Sequence, residues 1–176
     1  VWVAQGRLGE ALGWAREQGL SVENELSYLR EFDHITLTRV MLARYQSDRA
    51  DRSIQEAMGL LERLLKAAEE GGRMGSVIEI LILQASAYHA QGDLPAALLP
   101  LQHALALAEP QGYVRMFLDE GSSMMQLLRE ASAREIMPDY TDKLLATFEA
   151  EQRKSADNSD LPSALPEGRR RSPRPV

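Results

Sequence analysis

The stretch Tyr88-His89-Ala90-Gln91-Gly92-Asp93-Leu94-Pro95-Ala96-Ala97-Leu98 decides the fold of this chain. Its Gly92-Asp93 pair predicts a tight turn, and Pro95 suits the first turn of the next helix, where a missing amide hydrogen costs no hydrogen bond. Apolar residues continue at helical spacing beyond the turn, at Leu101, Ala104, Leu105 and Leu107. Small residues stand where two helices must approach closely, at Ala85, Ala97 and Ala104. The stretch therefore predicts a hairpin of two amphipathic helices.

The same helical spacing of apolar residues runs through most of residues 1–150, with no long alternating strand pattern. We therefore expect an all-α chain. A first helix is expected after Gly6, with Leu8, Ala11, Leu12 and Ala15 on one face, and it should end near Gly19. A second helix or helix pair is expected from Ser21 to about Gln46. Its candidate buried residues are Leu26, Leu29, Phe32, Ile35, Leu37, Val40, Met41 and Leu42.

Later helix starts are predicted from pairs of polar residues at capping-box spacing, in which each side chain hydrogen-bonds the backbone near the other residue. These pairs are Ser53 with Glu56, Ser76 with Glu79, Ser123 with Gln126, and Asp139 with Asp142. Asp93 should cap the helix that contains Pro95 and runs to about Ala108. Gly71-Gly72 and Pro138 are expected to separate helices.

Repeated helical hairpins of this kind are typical of tetratricopeptide repeats (TPRs), which stack into solenoids. We predict a short right-handed solenoid. Ala57 and Ala97 are expected at the same position in the second helices of two successive repeats. They are 40 residues apart in sequence, whereas a TPR unit has about 34 residues. If Thr38 corresponds to Ala85 and Tyr45 to Gly92, seven extra residues fall in the polar loop from Asp48 to Arg52, where insertions are tolerated.

Composition divides the 176 residues into a helical domain at 1–150 and a Pro/Arg-rich linker or tail at 151–176. The domain carries 14 basic and 22 acidic residues, a net charge of −8, which argues against non-specific nucleic-acid binding. The absence of Cys excludes disulfides and thiol chemistry. No long apolar run or signal peptide is seen, so we expect a soluble, cytoplasmic protein without membrane contact.

Catalytic and metal-binding patterns are weak. His34, His89 and His103 lack metal-ligand spacing, so structural or solvent-facing roles are expected. Gly71 to Ser76 lacks the Lys-Ser/Thr ending of a phosphate loop and is interpreted as an interhelix turn. The Asp119-Glu120 pair has no partner for paired-carboxylate chemistry, and the tail arginines at 169–171 and 174 are interpreted as solvated. The sequence therefore predicts a protein that is not an enzyme and that needs neither metal nor cofactor.

A binding role is expected on the concave face that the first helices of stacked hairpins form. On the register above, four polar residues point outward from these helices: Arg39, Glu79, Ser86 and His89. Our hypothesis is that they contact a ligand or partner. The alternative is an ordinary hydrated groove.

Three further segments carry a family resemblance. Residues 60–69 read LLERLLKAAE, residues 108–121 read AEPQGYVRMFLDEG, and Pro138-Asp139-Tyr140 precedes Leu144-Leu145. Over roughly residues 1–150 the chain resembles the TPR-like region of MalT-type regulators, the large ATP-binding members of the LuxR class of bacterial transcription factors. The run from Gly112 to Gly121 is the most specific part of the resemblance.

In that family an ATP-binding module precedes the helical region and a helix-turn-helix domain follows it, and neither is seen in this sequence. The resemblance implies a middle, sensor-like fragment that receives a small-molecule inducer or a protein partner and helps to control self-association. The tail would tether the missing DNA-binding domain, so DNA contact by this fragment is not expected. The alternative is a stand-alone TPR adaptor that assembles other proteins. The sequence names neither the inducer nor the oligomeric state.

Overall fold

The computed structural model describes residues 7–49 and 51–159. This part of the chain is all α, as predicted, and contains eight α-helices. Their bounds are α1 Leu8–Glu17, α2 Glu31–Asp48, α3 Asp51–Glu70, α4 Met74–Gln91, α5 Leu94–Ala108, α6 Arg115–Leu118, α7 Ser122–Ala133 and α8 Pro138–Ser159. Short 3-10 helices occupy Tyr28–Arg30 and Glu109–Gln111.

The helices pair into three consecutive hairpins, α2 with α3, α4 with α5, and α7 with α8. The first helices of the hairpins are neighbours, since α4 contacts both α2 and α7. Helix α1 packs against α2, and α6 packs against α7 and α8. This stacking of helical hairpins confirms the predicted TPR-like solenoid.

The hairpin of α4 and α5 forms as its sequence predicts. Gly92 takes a left-handed conformation with φ of 83°, which a residue without Cβ adopts at little cost. The Asp93 carboxylate accepts a hydrogen bond from the Ala96 amide at 3.0 Å and so caps α5. Three alanines are completely buried where the two helices meet, Ala85, Ala97 and Ala104. Small side chains therefore set the close approach of the two helices.

The helices predicted from the four pairs of polar residues are present, but the three serines do not stand before them as caps. Helix α3 begins at Asp51 and α4 at Met74, in each case two residues before the predicted serine, and α7 begins at Ser122 with no side-chain cap. The polar side chains instead contact other helices. Ser76 donates to Glu31 of α2, and Glu79 accepts from Arg39. Asp142, in α8, accepts a hydrogen bond from Ser132 of α7 at 2.8 Å.

Residues before α2 also differ from the prediction. The α-helix begins only at Glu31, and residues 20–27 form an irregular segment whose carbonyl groups at Val22 and Asn24 accept hydrogen bonds from Arg63. Leu29 and Phe32 are exposed by 89% and 73%, so their predicted burial is wrong. Leu26 is partly buried, and the other five candidates are in the core: Ile35, Leu37, Val40, Met41 and Leu42.

The repeat register is 43 residues, measured from the start of α2 to the start of α4. The predicted 40-residue register and the seven-residue loop insertion are therefore wrong. Arg49, with φ of 54°, directly follows α2 and occupies the place that Gly92 has after α4. The additional length lies in the helices, since α3 alone has 20 residues.

Helix α8 continues to Ser159, past the predicted domain boundary at residue 150. The tail arginines at 169–171 and 174, like Gly6, lie outside the described residues. Within residues 7–49 and 51–159, every helix is too short or too polar to span a lipid bilayer.

Candidate functional site

The first helices bring a set of polar residues together, which we call the first-helix surface. It consists of Arg39 on α2, Glu79, Ser86 and His89 on α4, Glu120 in the connector between α6 and α7, and Ser123 in the first turn of α7. Glu79 and Ser86 share a face because they are two helical turns apart, and His89 follows at the next turn. The surface includes the four residues predicted from the sequence, three of which share one face of α4.

Arg39 connects three parts of the solenoid. Its guanidinium donates to the Glu79 carboxylate of α4 at 2.9 Å and also to the Glu120 carboxylate, which follows α6. The three side chains are largely shielded, with Arg39 exposed by 31% and Glu120 by 12%. Burial acts to lower the pKa of Arg39, but the charges and hydrogen bonds of Glu120 and Glu79 raise that pKa above its usual value. Arg39 therefore stays charged and fixes α2 to both following hairpins.

Glu120 reaches this position through the run from Gly112 to Gly121, which joins α5 to α7. Phe117 is fully buried and meets the Tyr140 ring edge-on, with ring centroids 6.3 Å apart. The Tyr140 hydroxyl donates to the Tyr113 carbonyl oxygen at 2.8 Å. Burial, and secondarily the charge of Glu109, raise the pKa of the Tyr140 hydroxyl. This packing holds the run between α5 and α8.

Ion pairs also hold the run from Gly112 to Gly121 in place. Arg115 pairs with Asp119 at 2.8 Å and donates to Glu151 of α8 at 2.7 Å. The most family-specific segment of the sequence is therefore a structural connector, and its last carboxylate contributes to the first-helix surface. The Asp119-Glu120 pair thus takes part in two separate ion pairs.

A second ion-pair network joins the beginnings of α2 and α4. Arg73 donates to Glu31 at 2.8 Å, and the Ser76 hydroxyl donates to the other oxygen of the same carboxylate at 2.5 Å. Burial acts to raise the pKa of Glu31, but these hydrogen bonds and the charge of Arg73 together lower it below its usual value of 4.5. The Arg73 guanidinium also lies over the Tyr28 ring, 5.6 Å from its centroid.

The end of α4 meets α7 through His89 and Ser123. The Nδ1 atom of His89 lies 3.1 Å from the Ser123 hydroxyl oxygen, within hydrogen-bond distance. Ser86 is half-buried and lies between Glu79 and His89 in the sequence of α4. Three of the four predicted binding residues thus have partners within the protein itself, which the sequence did not indicate.

A cleft of about 390 Å³ opens beside His89, between the α4–α5 hairpin and α7. It is lined by His89, Gly92, Leu94, Gln126, Arg129 and Glu130. Its size falls within the range of small-ligand pockets. Of the polar residues that line this cleft, only His89 was predicted from the sequence as a binding residue. Gln126, Arg129 and Glu130 do form a polar stripe at helical spacing on α7, but the opposite wall comes from a different hairpin.

The other histidines have different surroundings. His34 is fully buried, and its Nδ1 donates to the Arg30 carbonyl oxygen at 2.8 Å, whereas His103 is exposed on α5. Among the described residues, no three His, Asp or Glu side chains are grouped so that they could hold a metal ion.

The stacked hairpins and the polar surface along their first helices define an α-helical repeat protein of the TPR type. The sequence matches the family described as the MalT-like TPR region over residues 1–134, about three quarters of the chain. The chain therefore belongs to the MalT-like TPR family. No curated protein and no solved structure gives a significant match to it.

Proposed function

We propose that this chain is the regulatory domain of a LuxR-type transcriptional regulator, which senses a signal, binds a partner and takes part in oligomerisation. Its membership of the MalT-like TPR family supports a regulator fragment. The observation that carries the proposal is the bridging of three hairpins by Arg39, through Glu79 and Glu120. Any occupant that competes for these charges changes the contact between hairpins.

The proposed mechanism is a shift between two arrangements of the solenoid. The Arg39 ion pairs stabilise the arrangement without an occupant, since they form within the free chain. A ligand or partner that binds better after these ion pairs open shifts the population toward the other arrangement. In the complete regulator, this change would be passed on to domains outside the present chain and to self-association.

The domain acts in this proposal by binding alone, in the cytoplasm and without membrane contact. It has no catalytic step, cofactor or metal of its own. DNA is bound only through a separate helix-turn-helix domain. The acidic composition of residues 1–150 supports this division, because a surface of net charge −8 repels the phosphate backbone.

The first test is the sequence of the natural gene on both sides of this segment. A phosphate loop upstream and a helix-turn-helix downstream are expected. Stop codons close to both ends would overturn the regulator proposal and leave the adaptor.

A promoter-reporter assay in the complete regulator tests the mechanism separately. Arg39→Ala is expected to raise expression without inducer, because it removes contacts of the unoccupied arrangement. Arg44→Ala is the matched control, since Arg44 is also on α2 but pairs only with Asp48 of the same helix among the described residues. Equal expression from both variants would contradict the mechanism.

The second candidate function is a stand-alone TPR adaptor. It is favoured by three exposed apolar side chains around the start of α2. Tyr28, Leu29 and Phe32 are exposed by 72%, 89% and 73%, respectively. Large apolar side chains grouped on a surface are common at protein interfaces.

A further inference from the structure

We propose that the cleft between the α4–α5 hairpin and α7 binds the carboxylate group of a small, partly apolar organic acid. The regulatory role of such binding rests on the proposed function, whereas the site itself rests on the residues that line the cleft. The signal that the domain senses would then be a small carboxylic acid, bound in this cleft.

The anchoring group is Arg129, an exposed residue on α7 that lines the cleft. Nearly every described arginine has an ion pair, or a hydrogen bond to a carbonyl group. Arg129 and Arg16 are the two described arginines with neither. Since the helical domain is acidic overall, an arginine left unpaired beside a concave surface is available to an external anion.

The neighbouring charge does not neutralise Arg129. Glu130 also lines the cleft, but its carboxylate pairs with Arg134, which directly follows the last residue of α7. The planar guanidinium fork of Arg129 matches a carboxylate, which accepts two parallel hydrogen bonds. The single unpaired guanidinium supplies one positive charge, which matches a singly charged acid better than a doubly charged phosphate. The charge pattern therefore selects a monoanion.

The remaining lining suits an apolar tail with one or two further polar contacts. Leu94 supplies an aliphatic wall, and Gln126 on α7 contributes an exposed side-chain amide. His89 lies at the same opening and contacts Ser123 at the start of α7. A ligand held here touches the second and third hairpins together, so its binding is coupled to their relative position.

Hexanoate is the probe that tests this site, and hexanamide is its neutral control of equal length. Both are titrated into the ¹⁵N-labelled full chain, and backbone and arginine side-chain resonances are followed by NMR. Hexanoate is expected to give saturable shifts at residues around the cleft, whereas hexanamide gives no saturable shift. Inorganic phosphate is expected not to displace hexanoate.

Two arginine variants make the assignment to Arg129 specific. Arg129→Gln is expected to weaken hexanoate binding roughly tenfold, because it removes hydrogen bonds to a charged group. Arg16→Gln removes the same charge from another exposed, unpaired arginine, in the last turn of α1, and should leave the affinity unchanged. The unliganded spectra of both variants establish that they are folded.

Three results would overturn the inference: no saturable hexanoate shift, equal binding of hexanamide, or unchanged binding by Arg129→Gln. Displacement by phosphate would overturn the carboxylate class. These outcomes are independent of the gene sequence on either side of the segment. A cleft that fails to bind hexanoate leaves the regulator proposal standing, and a gene that encodes only an adaptor leaves the carboxylate site standing.

Discussion

Arg39 and Glu120 form an ion pair although they are 81 residues apart in sequence. The pair joins the first helix of one hairpin to the connector that leads into α7, two hairpins further along. Solenoid repeats normally contact only their immediate neighbours, which makes each interface a separate contribution to stability. The Arg39 ion pairs therefore add a contact that couples α2 directly to the connector in front of the third hairpin.

Loss of the Arg39 ion pairs is expected to lower the stability of the folded protein. Arg39→Ala is expected to lower the free energy of unfolding by about 1–2 kcal/mol, the range for charged hydrogen bonds reduced for partial solvent exposure. Arg44→Ala, on the same helix, is expected to stay within about 0.5 kcal/mol of the wild type. Urea unfolding followed by circular dichroism measures both.

A double-mutant cycle then isolates the Arg39–Glu120 contact. If the two residues interact as described, Arg39→Ala and Glu120→Gln together cost less than the sum of the two single changes. Additive effects would mean that this ion pair contributes nothing to stability.

Acid stability should depend on Glu31. Its folded-state pKa is lowered, so its contribution to stability is present above the unfolded value near 4.5 and is lost as the pH falls through the folded-state pKa. Glu31→Gln is therefore expected to destabilise the protein most near neutral pH. The difference from the wild type should shrink as the pH falls below 4.5.

Unfolding free energies measured across this pH range provide the check. Glu62→Gln is the control, because Glu62 is exposed on α3 and is expected to keep the wild-type profile. A Glu31→Gln difference that stays constant with pH would show that the hydrogen-bonded network around Arg73 is not the source of the stabilisation.

Alkaline stability should depend on Tyr140. Its folded-state pKa is raised above the usual 10.0, so the neutral hydroxyl stabilises the fold at lower pH, and this contribution is lost as the pH rises from 10.0 through the folded-state pKa. Tyr140→Phe removes the hydrogen bond to Tyr113 and is expected to cost about 1 kcal/mol near neutral pH. Thermal unfolding should show that the difference between the two proteins decreases above pH 10.0.

The Tyr140→Ala variant distinguishes the stabilisation due to the Tyr140 ring from that due to its hydroxyl. It also removes the edge-on contact with Phe117 and is expected to cost about 3–5 kcal/mol, as for other large-to-small core substitutions. If Tyr140→Phe and Tyr140→Ala were equally destabilised, the ring would not contribute to holding the connector.

The α4–α5 hairpin was predictable because its determinants are local. Gly92 supplies the left-handed turn, Asp93 caps the helix within three residues, and the buried alanines follow helical spacing. The turn after α2 was missed because Arg49 takes the left-handed conformation there, at a position where the next hairpin has glycine. Arg49 offsets part of that cost by donating to the Ala90 carbonyl oxygen at 2.9 Å.

The polar residues were harder to predict than the apolar ones. Ser76 and Glu79 have the spacing of a helix cap, but the same spacing places both on the face of α4 that meets α2, and tertiary hydrogen bonds determine their role. Arg39 and Glu79 were identified as surface residues of first helices. Glu120 could not be connected with them, because no local pattern indicates where the α6 connector crosses the solenoid.

Close helix packing in the second hairpin gives the last prediction. Ala104 on α5 is completely buried, and close-packed protein interiors rarely accommodate a larger side chain without displacement of the neighbours. Ala104→Leu is therefore expected to lower the free energy of unfolding by about 1–3 kcal/mol through overpacking. Ala106→Leu is the matched control, since Ala106 is exposed on the same helix and leucine has a similar helix propensity. Urea unfolding of both variants checks the prediction, and a tolerated Ala104→Leu would show that small residues do not set the distance between α4 and α5.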